Sequence, residues 1–168
     1  MKFSFLPRTM IKSVTQLTPE ALKEQGIGLL MLDFDNTIVP YTTNEPTGEM
    51  AAWLKRMIAS DIAICVVSNS KRDRVRIFCE KWGIACITHS KKPFSKGIRQ
   101  CLEQFGMAPG DCALAGDQIF TDTLGANCAG VRSVLVKAIC NHNIWLKLRH
   151  VAELPFIGIA KLLGRNDK

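Results

Sequence analysis

Short apolar runs alternate with amphipathic stretches along most of this 168-residue chain. The runs at 27–32, 62–67, 84–88 and 112–115 are uninterrupted by charge, and 131–136 is apolar apart from Arg132 and Ser133, the pattern of strands buried in a sheet. Between them, 49–60, 71–82, 95–105 and 121–129 place apolar residues at helical spacing. Met50, Trp53, Leu54, Met57 and Ile58 form one such stripe, and Val75, Phe78, Cys79 and Trp82 another. Upstream, Thr18-Pro19-Glu20 reads as an N-cap, a proline at the first helical position and an acidic first turn, closed by Gly26. Residues 41–48, following Pro40 and containing Asn44 and Pro46, form a polar loop. The tail, 144–163, mixes apolar and basic residues and is interrupted by Pro155 and Gly158.

Five strands alternating with helices predict an α/β fold, a Rossmann-like parallel sheet with helices on both faces. The length suits a single domain over 1–168, with a core of about 5–140 and a basic amphipathic tail of about 141–168.

Each strand ends in polar residues suited to chemistry. The first runs into Asp33-Phe34-Asp35-Asn36-Thr37, the second into Ser68-Asn69, and the fourth into Gly116-Asp117. Lys91 and Lys92 follow the third. In extended backbone, carboxylates at i and i+2 share a face and repel, an arrangement that calls for a cation or a function. The Asp-x-Asp-x-Thr pattern alone arises by chance in roughly 3% of chains of this length, so the later spacing decides. The intervals from 33 to 68, 92 and 117 are each about one strand–helix unit, and in an open parallel sheet all such strand ends lie along one ligand-binding edge. Three carboxylates with oxygen donors suit a hard cation, Mg²⁺ above all, and no His or Cys cluster competes for zinc. His89, His142 and His150 lack metal spacing. A lysine and a hydroxyl beside such a cation make the donor set that phosphoryl transfer needs.

Composition narrows the partners. With 22 Lys+Arg against 15 Asp+Glu the net charge is +7, which favours anionic partners: phosphate esters, nucleic acid or an acidic membrane surface. The run Lys71-Arg72-Asp73-Arg74-Val75-Arg76 reads as a solvated helix face or, placed just beyond Ser68, as a place that recruits an anion. With the basic tail it could hold an anionic membrane surface, and 144–149 has the mixture of an interfacial helix. The alternative for the tail is to pack on the domain and cover a sheet edge. Seven cysteines, at 65, 79, 86, 101, 112, 128 and 140, stand among apolar neighbours without a Cys-x-x-Cys pair and read as reduced thiols in a cytosolic core. No apolar run reaches membrane-spanning length and residues 1–9 lack a signal-peptide core, so the expected location is cytoplasmic or peripheral to a membrane.

The four clusters 33–37, Ser68, Lys92 and 116–122 resemble, in order, the four motifs of the haloacid dehalogenase (HAD) phosphatase superfamily. More narrowly, 116–127 and Lys91-Lys92-Pro93 are similar to the subfamily IIIA phosphatases of the YqeG type, relatives of the phosphatidylglycerophosphate phosphatases. The resemblance covers about residues 5–140. It implies Asp33 as nucleophile and metal ligand, and Asp35 as acid and then base, with its backbone carbonyl a second ligand. Ser68, Asn69 and Lys92 would bind the phosphoryl group, Lys92 also restraining Asp33, and Asp117 would complete the metal ligands. Asp122 and Thr37 would support these groups from behind. The second aspartate favours phosphate chemistry over dehalogenation. The gaps of 35 and 24 residues between motifs leave no room for a cap domain, so the site is expected to be open, with only the 40–48 loop as a partial flap.

The function expected is Mg²⁺-dependent phosphomonoester hydrolysis through an aspartyl-phosphate, on a bulky or surface-bound substrate such as phosphatidylglycerophosphate. The alternatives are a nucleotide, nucleic-acid end or sugar phosphate as substrate, or an assembly factor that binds phosphate without turnover.

Overall fold

In a computed structural model, residues 3–71, 73–140 and 144–165 are described, with backbone alone for 144–150. Six parallel strands form one sheet: β1 Thr9–Ile11, β2 Leu29–Leu32, β3 Ala63–Val67, β4 Ala85–Ile87, β5 Cys112–Gly116 and β6 Arg132–Val136, in the order β1-β6-β5-β2-β3-β4. Central β2 is buried along its whole length, and its alternating side chains feed two cores. Leu30 and Leu32 pack with Trp53, Leu54, Val75 and Phe78, whereas Leu29 and Met31 pack with Ile98, Cys101 and Ala126. Helices α2 Gly48–Ile58 and α3 Asp73–Trp82 thus cover one face, and α4 Lys96–Phe105 and α5 Leu124–Ala129 the other. The chain has the α/β architecture that the periodicity predicts.

Local signals set the helix ends. The Thr18 hydroxyl accepts the Ala21 N–H (3.2 Å) at the start of α1 Pro19–Glu24, and Thr47 accepts the Met50 N–H (3.3 Å) at the start of α2. All seven cysteines are free thiols, four of them buried.

The sheet has one strand more than the five expected. Residues 9–11 are too short for a periodic signal and sit between the exposed Arg8 and Lys12. Pairing with β6 supplies what local sequence does not. The helix expected at 121–129 is a wide π-type turn, Ile119–Thr123, leading into α5. The tail is not interrupted at Pro155: α6 Ile144–Leu162 runs through it. Proline forfeits a helix hydrogen bond, so tertiary packing must carry this helix. Its Glu153, Phe156 and Ala160 turn inward, Ala160 fully buried. Beyond the helix end, the Arg165 carbonyl accepts the Met10 N–H (2.8 Å), and the Arg165 guanidinium donates to Pro7 O (2.8 Å), covering the open edge of β1.

Glu153, 3% exposed, is a buried link between tail and core: its Oε1 accepts the N–H groups of Ile119 (2.9 Å) and Phe120 (3.5 Å) at the start of the π-type turn. Replacing Glu153 by Ala strands a buried N–H and is expected to cost about 1–3 kcal/mol in urea unfolding. Glu153→Gln, which keeps an acceptor, should cost clearly less.

Candidate active site

The strand registers bring the sequence clusters together. Leu32 lies opposite Val66 on one side and Ala115 on the other. The Asp33 N–H donates to Ala115 O (2.9 Å) and the Ser68 N–H to Ile87 O (2.9 Å). Asp33, Ser68 and Asp117 therefore open three adjacent loops at one level of the sheet edge. Just beyond Asp33 the chain turns tightly: the N–H groups of Ile38 (3.0 Å) and Val39 (3.3 Å) both donate to Phe34 O. Asn36, at φ 61°, takes the left-handed conformation that asparagine tolerates, and its Oδ1 accepts the Tyr41 N–H (3.3 Å).

Lys92 is the hub of the site. Its Nζ, on a side chain 1% exposed, donates to Asp33 Oδ1 (2.7 Å) and Val67 O (2.6 Å) and forms an ion pair with Asp122 Oδ1 at 2.7 Å. Burial pulls the Lys92 pKa down, but the Asp122 and Asp33 carboxylates outweigh it and hold the ammonium above its ordinary value. Neighbouring Lys91 is exposed, so geometry selects Lys92. The Asn69 amide holds Lys92 from behind: Oδ1 accepts the Lys92 N–H (2.7 Å) and the Ser90 hydroxyl (2.8 Å), and Nδ2 donates to Lys92 O (2.8 Å). Ser68, 2% exposed, accepts the Ser70 N–H (3.1 Å) on Oγ, and its hydroxyl keeps a hydrogen of its own to give.

Asp33, Asp117 and Asp122 each offer a carboxylate oxygen within 4.8 Å of the others. Asp122 reaches this cluster because residue 116 is glycine: a Cβ there would overlap the Asp122 carboxyl. Asp122 Oδ2 also accepts the Gln118 N–H (3.1 Å), so the residue braces both Lys92 and the turn after Asp117. Three carboxylates against one ammonium leave two negative charges among hard oxygen donors, and a divalent cation fits that deficit. Desolvation by burial pushes the Asp33 pKa from an ordinary 3.8 up to about 7, the Asp122 and Asp35 charges adding to the rise and Lys92 opposing it. Thr37 is 2% exposed, and its hydroxyl has no hydrogen-bond partner among the described residues.

Asp35 is held from α3. Arg74 Nη1 lies 3.3 Å from Asp35 Oδ1, with the guanidinium 5.1 Å from the Phe34 ring centroid. The same guanidinium donates to the carbonyls of Tyr41 (3.0 Å), Pro40 (3.3 Å) and Thr43 (2.6 Å), and Lys81 pairs with Glu45 (2.8 Å). The flap loop is thereby tied to α3. In sequence Arg74 reads as part of an anion-holding run; in the structure its donors go to the flap and Asp35. Arg72 and His142 of the sequence reading lie outside the described residues. The role of Glu153 was equally hidden, since its partner backbone is 34 residues away.

A family model described as mitochondrial PGP phosphatase matches residues 2–140. The chain is 33% identical over 141 residues to "Probable phosphatase YqeG" of Bacillus subtilis, covering 84% of this chain and 82% of that protein. It is 24% identical over 174 residues to the chloroplastic/mitochondrial phosphatidylglycerophosphate phosphatase 1 of Arabidopsis thaliana, covering 97% of this chain but only 49% of the plant protein. Two solved structures align with TM-scores of 0.53 at 15% identity. One is the cobalt-bound deoxy-D-mannose-octulosonate 8-phosphate phosphatase of Haemophilus influenzae, over 76% of this chain and 77% of that one. The other is a HAD superfamily (subfamily III A) hydrolase of Legionella pneumophila, over 76% and 73%. At those identities the likeness is one of fold.

The Asp33 shift has a thermodynamic consequence. A carboxyl whose folded pKa is about 7 binds its proton more tightly folded than unfolded, so the contribution of Asp33 to the stability of the cation-free protein falls as pH rises from about 4 to about 7. A divalent cation offsets that loss by binding the ionised form. The rise in Tm on adding Mg²⁺ should be largest above about pH 7 and shrink toward about pH 5 in scanning calorimetry.

Proposed function

The chain belongs to the mitochondrial PGP phosphatase family and has the HAD fold, and on that premise we propose that it is a Mg²⁺-dependent phosphomonoester hydrolase acting through phosphorylated Asp33. The observation that carries this reading is the convergence of Asp33, Asp117 and Asp122 around buried Lys92. Phosphatidylglycerophosphate is the substrate we assign, supported by the family and by the absence of a cap over the strand ends among the described residues.

Asp33 and Asp117, with the Asp35 backbone carbonyl, would hold the cation. When bound, it would shield the phosphate oxygens from the carboxylates and stabilise the charge of the transferring group. Asp33 attacks phosphorus, a carboxylate oxygen–phosphorus bond forms, and the bond to the lipid alkoxide breaks. Asp35 gives its proton to that alkoxide, then takes one from the water that attacks phosphorus. Asp33 is released as a carboxylate together with inorganic phosphate. Lys92 acts by restraining Asp33 through its hydrogen bond and by fixed positive charge. Ser68 gives its hydroxyl hydrogen to a phosphoryl oxygen. Asn69 contributes through the Lys92 backbone. Arg74 is a positioning residue for Asp35.

Turnover of an aryl phosphate tests the class. Activity should require Mg²⁺, vanish in EDTA and fall at least about a thousandfold in Asp33→Asn. Turnover that survives both would overturn the mechanism. A panel tests the substrate: phosphatidylglycerophosphate micelles should be preferred over nucleotides and sugar phosphates, and the reverse order would remove the lipid assignment.

Arg74→Ala leaves Asp33, Lys92 and Asp117 in place but frees Asp35 and the flap. It should lower kcat on the aryl phosphate by about 10- to 100-fold while the Mg²⁺ requirement stays. An unchanged kcat would show that Asp35 needs no partner.

A further inference from the structure

From Val151 onward, helix α6 shows an apolar side to solvent. Its inward positions are Glu153, Phe156 and Ala160, Phe156 packing on Phe5 with ring centroids 5.0 Å apart. Its outward positions at helical spacing are Val151, Leu154, Ile159 and Leu162, exposed by 60%, 48%, 46% and 88%. Pro155 is exposed on the same side, so no polar residue interrupts the stripe from Val151 to Leu162. A helix that only packed on its own domain would have the opposite polarity. Phe3, 72% exposed, extends the apolar surface through its edge contact with Phe5.

Outside its buried face, the sequence of α6 carries charge of one sign. The only acid of α6, Glu153, is buried on the inner side and bonded to the Ile119 N–H. The helix sequence otherwise carries Lys147, Arg149 and Lys161, and exposed Arg8 follows Pro7, whose carbonyl binds Arg165 just beyond the helix. No helix among the described residues is long and apolar enough to cross a membrane. A second copy is a poor occupant, because a two-fold contact would set this basic helix against itself in a chain of net charge +7. An anionic lipid surface answers both features: its acyl boundary takes the leucines and its headgroups the lysines and arginines.

We propose that α6 is an interfacial helix that lies in the plane of an anionic bilayer and buries the stripe formed by Val151, Leu154, Ile159 and Leu162. Glu153 fastens that helix to the turn two residues after Asp117, so a docked helix holds the strand-end site at a set position above the lipid. The inference rests on surface chemistry and stands whichever ester is hydrolysed.

Flotation of the full chain with vesicles tests it, using phosphatidylcholine alone and phosphatidylcholine mixed with phosphatidylglycerol. The protein should bind the mixed vesicles at least about tenfold more strongly. The double substitution Leu154→Glu, Leu162→Glu, at exposed positions, should reduce that binding at least about tenfold while the unfolding midpoint and aryl phosphate turnover stay unchanged. Absence of binding to the mixed vesicles, or equal binding by the variant, overturns the proposal. So does a dimer in light scattering that the variant dissociates, which would assign the stripe to a contact between copies. Flotation is read without catalysis, so a failed phosphatase assay leaves it intact.

Discussion

The site depends on one buried ammonium. Lys92 stands between Asp33 and Asp122 and donates to the Val67 carbonyl, and its side chain is almost wholly removed from water. Without it, three carboxylates would crowd the ends of two neighbouring strands in a medium that screens poorly. With it, the cluster keeps two uncompensated charges, enough to hold a divalent cation and too few to expel Asp33 from the interior. Much of the local structure serves this ammonium: the Asn69 amide grips its backbone, and Gly116 clears space for Asp122. His89 and Lys91, the two left-handed residues before it, give the loop its sharp path inward.

Two supports reach the site from far along the chain. Arg74 holds Asp35 while bonding three carbonyls of the flap loop, so Asp35 and the flap share one anchor on α3. Glu153 holds the backbone after Asp117 from the last helix. In both cases a charged side chain satisfies backbone groups of an irregular segment that has no ladder or helix to do so. Such segments carry the chemistry because strands must end before side chains can converge, and their geometry is then set by distant partners.

That division explains what could be read from the sequence. Asp33, Ser68, Lys92 and Asp117 were legible because apolar strand runs have clear ends and parallel topology places those ends together. The choice of Lys92 over Lys91 was open on residues alone, since it depends on which backbone bend turns inward. Arg74 looked like one of several exposed cations, and nothing local distinguishes a cation bound to three carbonyls from one in water. Residues 9–11 were missed because a three-residue strand has no periodicity to detect, and α6 was read as interrupted because Pro155 counts against a helix whose packing outweighs it.

A strand-end site without a cap domain among the described residues raises the question of what replaces a lid. Enzymes that close a cap exclude water by motion and lose that advantage when the substrate is too large to enclose. Here the flap is tethered at Arg74 and by the Lys81–Glu45 pair, so its position is set before substrate arrives. A substrate embedded in a lipid surface can itself supply the missing cover, provided the protein meets that surface at a constant height and angle. A helix with leucines outward, fastened through Glu153 to the Asp117 loop, would meet both conditions if it docks as proposed. The sheet edge would then serve the phosphate, which is common to every ester, while the last helix would select which esters are presented to it.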